Sequence, residues 1–247
     1  MLKKAVRGAL RVTRRWLAEE DTSEHIDYGA PPFSYRHLNL MLRRVARQRG
    51  GIDRPDYAWG VLQGLNLAKV LGMPRVSLIE FGVAGGNGLV ALETIAQHLE
   101  PLFGIETDIY GFDAVAGLPK SQDYRDLPNS WPAGSYAMDQ GKLERRLKKT
   151  TLMLGLVQDT VPKFLESGCP PVAFVAFDPC FYSATMQAFR VIEAEHQMLL
   201  PRVHCFFRNI LGRTFGDHNG ERLAISDFNA SHEMRKISRI YGLQYYL

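Results

Sequence analysis

The sequence is poor in cysteine and has no long apolar run, and both features restrict what the protein can be. Its three cysteines, Cys169, Cys180 and Cys205, form no C-x-x-C pair and no zinc-ligand spacing, which is typical of a reducing compartment. No stretch is long and apolar enough to span a bilayer, and no secretory signal peptide is recognisable. We therefore expect a cytoplasmic protein.

The chain also lacks a strong excess of charge of either sign. Lys and Arg together number 30, against 26 for Asp and Glu, which gives a net charge of +4. So small an excess does not indicate nucleic-acid binding, and we expect none. Hydrophobic residues make up 46% of the 247 residues, which is sufficient for the core of one α/β domain with a short extension.

Residues 1–17 are the exception, because they carry six basic residues and no acidic one. A helix formed there could lie on an anionic membrane surface as a peripheral contact, or on another acidic partner. A transit peptide is a further alternative. We favour a solvated arm, because basic runs usually face solvent. We expect residues 1–55 to form a basic helical extension and residues 56–247 to form the main domain.

Apolar strand patterns alternate with helical patterns through the main domain. Continuous apolar strands separated by helices predict a doubly wound, mostly parallel, Rossmann-like sheet covered on both faces. Ligands in such sheets bind beyond the carboxyl ends of the strands. The predicted strands are residues 76–81, 109–112, 152–157, 172–177, 203–207 and about 243–247; the predicted helices include residues 57–71, 183–198 and 222–238.

A glycine-rich turn follows the first predicted strand, from Glu80 to Gly88. Glycines let the backbone approach a ligand closely, and the next helix presents free N–H groups there. The acid suits the cationic part of a nucleoside sulfonium, and the amides suit its carboxylate. A nicotinamide site would need a second glycine where Ala84 stands, and a phosphate loop would need G-K-[ST]. A structural turn without a ligand stays an alternative.

Further polar residues follow the other strands. Asp113 ends the second strand, where an acid can accept both ribose hydroxyls, and we favour this role over a helix cap or a turn aspartate. Gly155 opens a segment beside which an adenine ring could lie. Asp178 ends the fourth strand and is a candidate general base, or could orient the cofactor. His218, in a loop after the fifth strand, is a second candidate base, although an ordinary loop histidine is the safer interpretation.

Taken together, these segments resemble the macrocin O-methyltransferase family of class I S-adenosylmethionine-dependent enzymes. The resemblance implies S-adenosylmethionine as cofactor and sugar O-methylation as the activity. The matching positions are Glu80 through Gly86, then Asp113 with Gly117, Leu118 and Pro119, then Gly155 with Asp159, Thr160 and Pro162, and finally Asp178 with Tyr182 and Thr185. The predicted cofactor-binding residues are Glu80, Gly82, Val83, Ala84, Gly86, Asp113, Ala114 and Gly155.

The chain departs from this family where the family binds a divalent metal. The second Asp of the family's D-x-D motif is Cys180 here, and its Asp-Asp pair falls on Arg208 and Asn209. Mg²⁺ prefers carboxylate oxygens, so we expect no metal site. Arg208 can instead pair with Asp178 or with an anionic group of the substrate. The sheet is also expected to lack the family's last, reversed strand.

These observations predict a metal-independent methyltransferase acting on a hydroxyl of a small-molecule or glycan acceptor. The lost metal ligands leave a non-catalytic binding or scaffold protein as the alternative. For the assembly state, a homodimer is one alternative among others.

Overall fold

The computed structural model describes residues 54–121, 123–211, 216–241 and 243. The predicted basic segment, residues 1–17, lies outside these ranges, as does nearly all of the predicted extension, residues 1–55. The boundary at residue 55 therefore stays a prediction.

Five parallel strands form one sheet in the order β3-β2-β1-β4-β5. Every residue of β4 is buried, as expected of a central parallel strand covered on both faces. The predicted doubly wound Rossmann-like α/β fold is thereby confirmed. The strands are β1 (Arg75–Phe81), β2 (Glu106–Asp113), β3 (Thr151–Leu154), β4 (Val172–Phe177) and β5 (Leu199–Phe207).

Six α-helices lie among the described residues. They are α1 (Pro55–Val70), α2 (Asn87–Phe103), α3 (Gln140–Glu144), α4 (Val157–Glu166), α5 (Tyr182–Phe189) and α6 (Gly220–Ser231). Pro55 opens α1, a position where the missing proline N–H has no helical partner to lose. Short 3₁₀ helices cover Tyr124–Asp126 and His196–Met198.

The helices cover the two faces of the sheet. On one face, Tyr57 of α1 packs against the ring of Phe174, with centroids 5.5 Å apart. Val175 and Phe177 alternate with Phe174 along β4 and belong to the core of the other face. That core is rich in phenylalanine and is closed by α4, α5 and α6. Its ring members are Phe81, Phe112, Phe164, Phe177, Phe189 and Phe228.

Several boundaries differ from the sequence prediction. β3 ends at Leu154 because Gly155 has a φ of +134°, which takes the chain out of the strand. α5 ends at Phe189, whereas the sequence predicted residue 198. The prediction ran too far because Val191 and Ile192 continue the apolar pattern, although they reach the core from turns that follow the helix. β5 begins four residues earlier than predicted, and α6 ends at Ser231.

Within the described ranges the sheet contains no reversed strand. The segment predicted for a last strand, residues 243–247, lies outside those ranges except for Leu243. None of the helices in the described part of the chain has the length and apolarity that crossing a membrane requires.

Candidate active site

A cleft of about 660 Å³ opens at the carboxyl ends of the strands. Parallel strands bring the loops that follow them to one edge of the sheet, which is why residues distant in sequence meet there. The lining comes from the loop after every strand. After β1 it includes Gly82 and Ala84, and after β2 it includes Asp113, Ala114 and Gly117 to Lys120. After β3 it includes Leu156, Val157 and Gln158, after β4 Asp178 to Phe181, and after β5 Arg208 and Asn209.

Asp113 lies in this cleft and joins two of its loops. One carboxylate oxygen accepts the N–H of Ala84 at 2.8 Å, and the other accepts the N–H of Val115 at 2.7 Å. The side chain therefore fixes the loop after β1 to the loop after β2. A carboxylate has about four acceptor positions, so both oxygens retain capacity for a ligand hydroxyl. Ala114, its neighbour in the predicted set, also lines the cleft.

Glu80 lies behind the cleft and is not among the lining residues. It is only 3% exposed, and its Oε2 has no hydrogen-bond partner among the described residues. Burial and the nearby charge of Asp178 raise the pKa of Glu80 to about 8. The carboxyl group is therefore mainly neutral at pH 7 and offers no full charge to a cationic ligand.

The glycines of the first turn are explained by contacts within the protein. Gly82 has a φ of +81°, and a Cβ there would overlap the backbone oxygen of Asp178. A Cβ on Gly88 would overlap the Glu80 carboxylate. The sequence interpretation assigned these glycines to ligand approach, whereas the structure gives Gly82 and Gly88 a packing reason as well.

The far side of the turn is covered by the region of α3. A Cβ on Gly86, whose φ is +76°, would overlap the side chain of Leu143, which is 2% exposed. Arg146 donates to the oxygen of Gly85 at 2.6 Å and to Oδ1 of Asn87 at 2.7 Å. The surface of Gly86 is therefore occupied by Leu143, and neither Gly86 nor Val83 lines the cleft.

Gly155, the last of the predicted cofactor residues, lies just outside the lining. Its N–H donates to the oxygen of Asp113 at 2.9 Å, which sets the loop after β3 beside the loop after β2. The three following residues, Leu156, Val157 and Gln158, form an apolar and amide wall of the cleft.

Asp178 is held by a hydrogen-bond network that ends at a buried carboxyl group. Nδ2 of Asn209 donates to Oδ1 of Asp178 at 3.0 Å and to Oε1 of Glu221 at 3.1 Å. The backbone N–H of Asn209 donates to Oε2 of Glu221 at 2.8 Å. Glu221 is fully buried. It therefore fixes Asn209, and Asn209 in turn orients Asp178 toward the cleft.

The pKa of Asp178 is raised to about 6 because burial outweighs the stabilising effect of Asn209 and Arg208. Burial likewise raises the pKa of Glu221 to about 8. Asp178 is thus mainly ionised at pH 7, whereas Glu221 is mainly protonated. A partly buried carboxylate with a pKa near 6 is suited to accept a proton.

His218 is exposed, near the start of α6, and is not among the cleft residues. Its neighbour Asp217 pairs with Arg222 and belongs to that exposed surface. The structure therefore brings Asp178, but not His218, to the cleft.

The donor set around Asp178 does not suit Mg²⁺. Asn209 presents an N–H donor to the carboxylate, and the Cys180 thiol is directed at the Asp178 backbone oxygen. A hard cation requires oxygen acceptors at these positions. In the described part of the chain, no three His, Cys, Asp or Glu side chains are grouped as metal ligands would be.

One wall of the cleft was not predicted from the sequence. The loop between β2 and β3 supplies Asp126 and Trp131, which are 2% and 7% exposed. Asp126 accepts the N–H of Ser183 at 2.8 Å and its hydroxyl at 2.9 Å, and so docks the loop on the start of α5. This loop has no periodic pattern, so only its length could have indicated a role.

No protein-family model and no curated protein sequence matches the chain. Among solved structures, it is similar to the O-methyltransferase NovP, with 14% identity over 63% of this chain and 76% of that one, and a TM-score of 0.42. It is also similar to CalS11, a TDP-rhamnose 3'-O-methyltransferase of calicheamicin biosynthesis. There the identity is 19% over 85% of this chain and 87% of that one, with a TM-score of 0.41. Likenesses this distant do not assign a function, and the fold assignment rests on the sheet topology.

Proposed function

We propose that the protein is an S-adenosylmethionine-dependent methyltransferase that methylates a hydroxyl of a small-molecule or glycan acceptor without a metal ion. The observation that carries the proposal is one cleft that joins Asp113, the apolar wall at Leu156 and Val157, and the base Asp178. These groups follow three different strands and meet at the ligand-binding edge of a doubly wound sheet.

The nucleoside half of the cofactor fits the described residues. Asp113 would accept the ribose hydroxyls with its remaining lone pairs, and Leu156 and Val157 would contact the adenine ring. Gly82 and Ala84 would lie beside the amino-acid part. When bound, the cofactor supplies an electrophilic methyl group on its sulfonium.

The chain's own contribution would be position and proton transfer. Asn209 occupies Oδ1 of Asp178, and no hydrogen bond to Oδ2 is found among the described residues. Oδ2 would accept the proton of an acceptor hydroxyl as the oxygen attacks. Gln158 and Asp126, which also line the cleft, would hold the acceptor in line.

Isothermal titration calorimetry with S-adenosylhomocysteine tests the cofactor site. We expect heat of binding for the unchanged protein and at least about tenfold weaker binding for Asp113→Asn, because the amide puts an N–H where a ribose hydroxyl donates. Asp159→Asn is the matched control, since Asp159 is exposed on α4 and outside the cleft. Absence of heat with a folded, unchanged protein would reject the proposal.

A second candidate is a non-catalytic binding or scaffold protein, and two observations favour it. Leu143 fills the space beside Gly86, and the N–H of Ala84 is already bonded to Asp113. Both reduce the backbone surface left for the cofactor's amino-acid part. Methyl transfer from labelled S-adenosylmethionine to any acceptor in a broad panel of hydroxyl compounds, lost in Asp178→Asn, would eliminate this candidate.

A further inference from the structure

The charged groups that line the cleft differ in whether other groups of the protein bind them. Its three acids are engaged by the protein: Asp113 by two amides, Asp126 by Ser183 and Asp178 by Asn209. Its two cations, Lys120 and Arg208, are exposed. Neither cation has a hydrogen bond or an ion pair within the described ranges. Among the described lining residues the acids outnumber the cations, but only the cations lack a hydrogen-bond or ion-pair partner.

Arg208 is the better placed of the two cations. Its backbone N–H donates to the oxygen of Phe177 at 3.0 Å, which fixes the residue at the end of the central strands. Asp178 is adjacent and would be its natural partner, but the next residue, Asn209, supplies the hydrogen bond to Asp178 instead. Within the described ranges the guanidinium has no hydrogen-bond partner, although its charge stabilises the Asp178 carboxylate.

We propose that Arg208 binds an anionic group, phosphate or carboxylate, on the acceptor whose hydroxyl lies at Asp178. This inference rests on the proposed function for the role of Asp178, but the anion site itself does not. A guanidinium binds either oxyanion through two parallel hydrogen bonds, which orients the ligand as well as attracting it. A hydroxyl close to the anionic group would thereby be placed at the base.

Lys120 strengthens the charge at the opposite side of the cleft. It follows β2, and β2 and β5 are separated by two strands, so the ends of these two strands are about 14 Å apart across the sheet. A flexible lysine in the lining adds attraction for an anion, whereas the planar guanidinium of Arg208 fixes its position.

The test measures binding of small anions in the absence of cofactor. The full chain is titrated at low ionic strength with inorganic phosphate and, separately, with acetate, which distinguishes the two oxyanions. We expect at least one of them to bind, about tenfold more weakly in Arg208→Gln, and with intermediate strength in Arg208→Lys. Lys120→Gln should weaken binding less than Arg208→Gln does.

Arg190→Gln is the matched control, because Arg190 is exposed at the end of α5 and outside the cleft. It should leave anion binding unchanged. Equal binding by Arg208→Gln and the unchanged protein, or no binding of either anion, overturns the inference.

Titration of the same variants with S-adenosylhomocysteine separates this inference from the proposed function. Arg208→Gln should bind it as the unchanged protein does. Loss of that binding would mean that Arg208 holds the cofactor's carboxylate, and the inference would be wrong. If the unchanged protein binds phosphate or acetate but not S-adenosylhomocysteine, the anion site stands and the methyltransferase proposal fails.

Discussion

The buried carboxyl of Glu80 predicts a specific pH dependence of stability. Its pKa is raised by burial, and by the charges of Asp178 and Asp113, from 4.5 to about 8. Below pH 4.5 the group is protonated in both the folded and the unfolded chain, so its titration does not alter stability. As pH rises from 4.5 to 8 the unfolded chain ionises it and the folded chain does not, so stability is lost over that window.

The magnitude follows from the free energy of one proton, about 1.4 kcal/mol per pH unit. At pH 7 the loss attributable to Glu80 is about 3 kcal/mol. Glu80→Gln keeps the shape and the neutral state, so it should remove this loss. We expect the variant to be more stable than the unchanged protein at pH 7 and to match it closely near pH 4.5.

Urea unfolding at several pH values between 5 and 8 provides the measurement. The slope of the unfolding free energy against pH should be less negative in Glu80→Gln by about 1.4 kcal/mol per unit. Equal slopes would mean that Glu80 is ionised in the folded protein, and the reasoning from its burial would be refuted.

Glu93 provides a control of opposite sign. Burial raises its pKa, but hydrogen bonds from the backbone of Lys149, Lys148 and Thr150 and from the Thr150 hydroxyl outweigh burial and lower it. Its stabilising contribution is present above pH 4.5 and is lost as pH falls further. Glu93→Gln should therefore destabilise the protein at pH 7, where Glu80→Gln stabilises it.

Three further results are expected. Gly82→Ala should lower the free energy of unfolding in urea by about 3 to 5 kcal/mol, because the added Cβ overlaps the Asp178 backbone. Gly72 has a similar φ but open space around it, so Gly72→Ala should lower the free energy of unfolding by only about 1 kcal/mol. Glu221→Ala should lower the free energy of unfolding by about 2 kcal/mol, because Asn209 loses two hydrogen-bond acceptors. In the same variant kcat should fall more than KM rises, because Asp178 loses its orientation. In a pH series of methyl transfer, kcat/KM should decline below about pH 6 as Asp178 takes up a proton, and a flat profile would contradict its role as base.

The sequence by itself determined the layers of this protein. Residues 172–177 are continuously apolar, and such a run between helical patterns has few solutions other than a central parallel strand, which β4 is. The same pattern placed Asp113 and Asp178 at strand ends, and parallel strands necessarily carry those ends to one edge. Local patterning was sufficient because each strand and helix is specified by its own residues.

Only the tertiary structure decided which polar groups belong together. Nothing in the chain between Asn209 and Glu221 indicates that one holds the other, or that Asn209 rather than Arg208 donates the hydrogen bond to Asp178. The occupation of Gly86 by Leu143 and the docking of Asp126 on Ser183 likewise depend on a long loop without periodicity. Hydrogen bonds between distant loops depend on the three-dimensional path of the backbone, and the spacing of residues along the chain does not reveal that path.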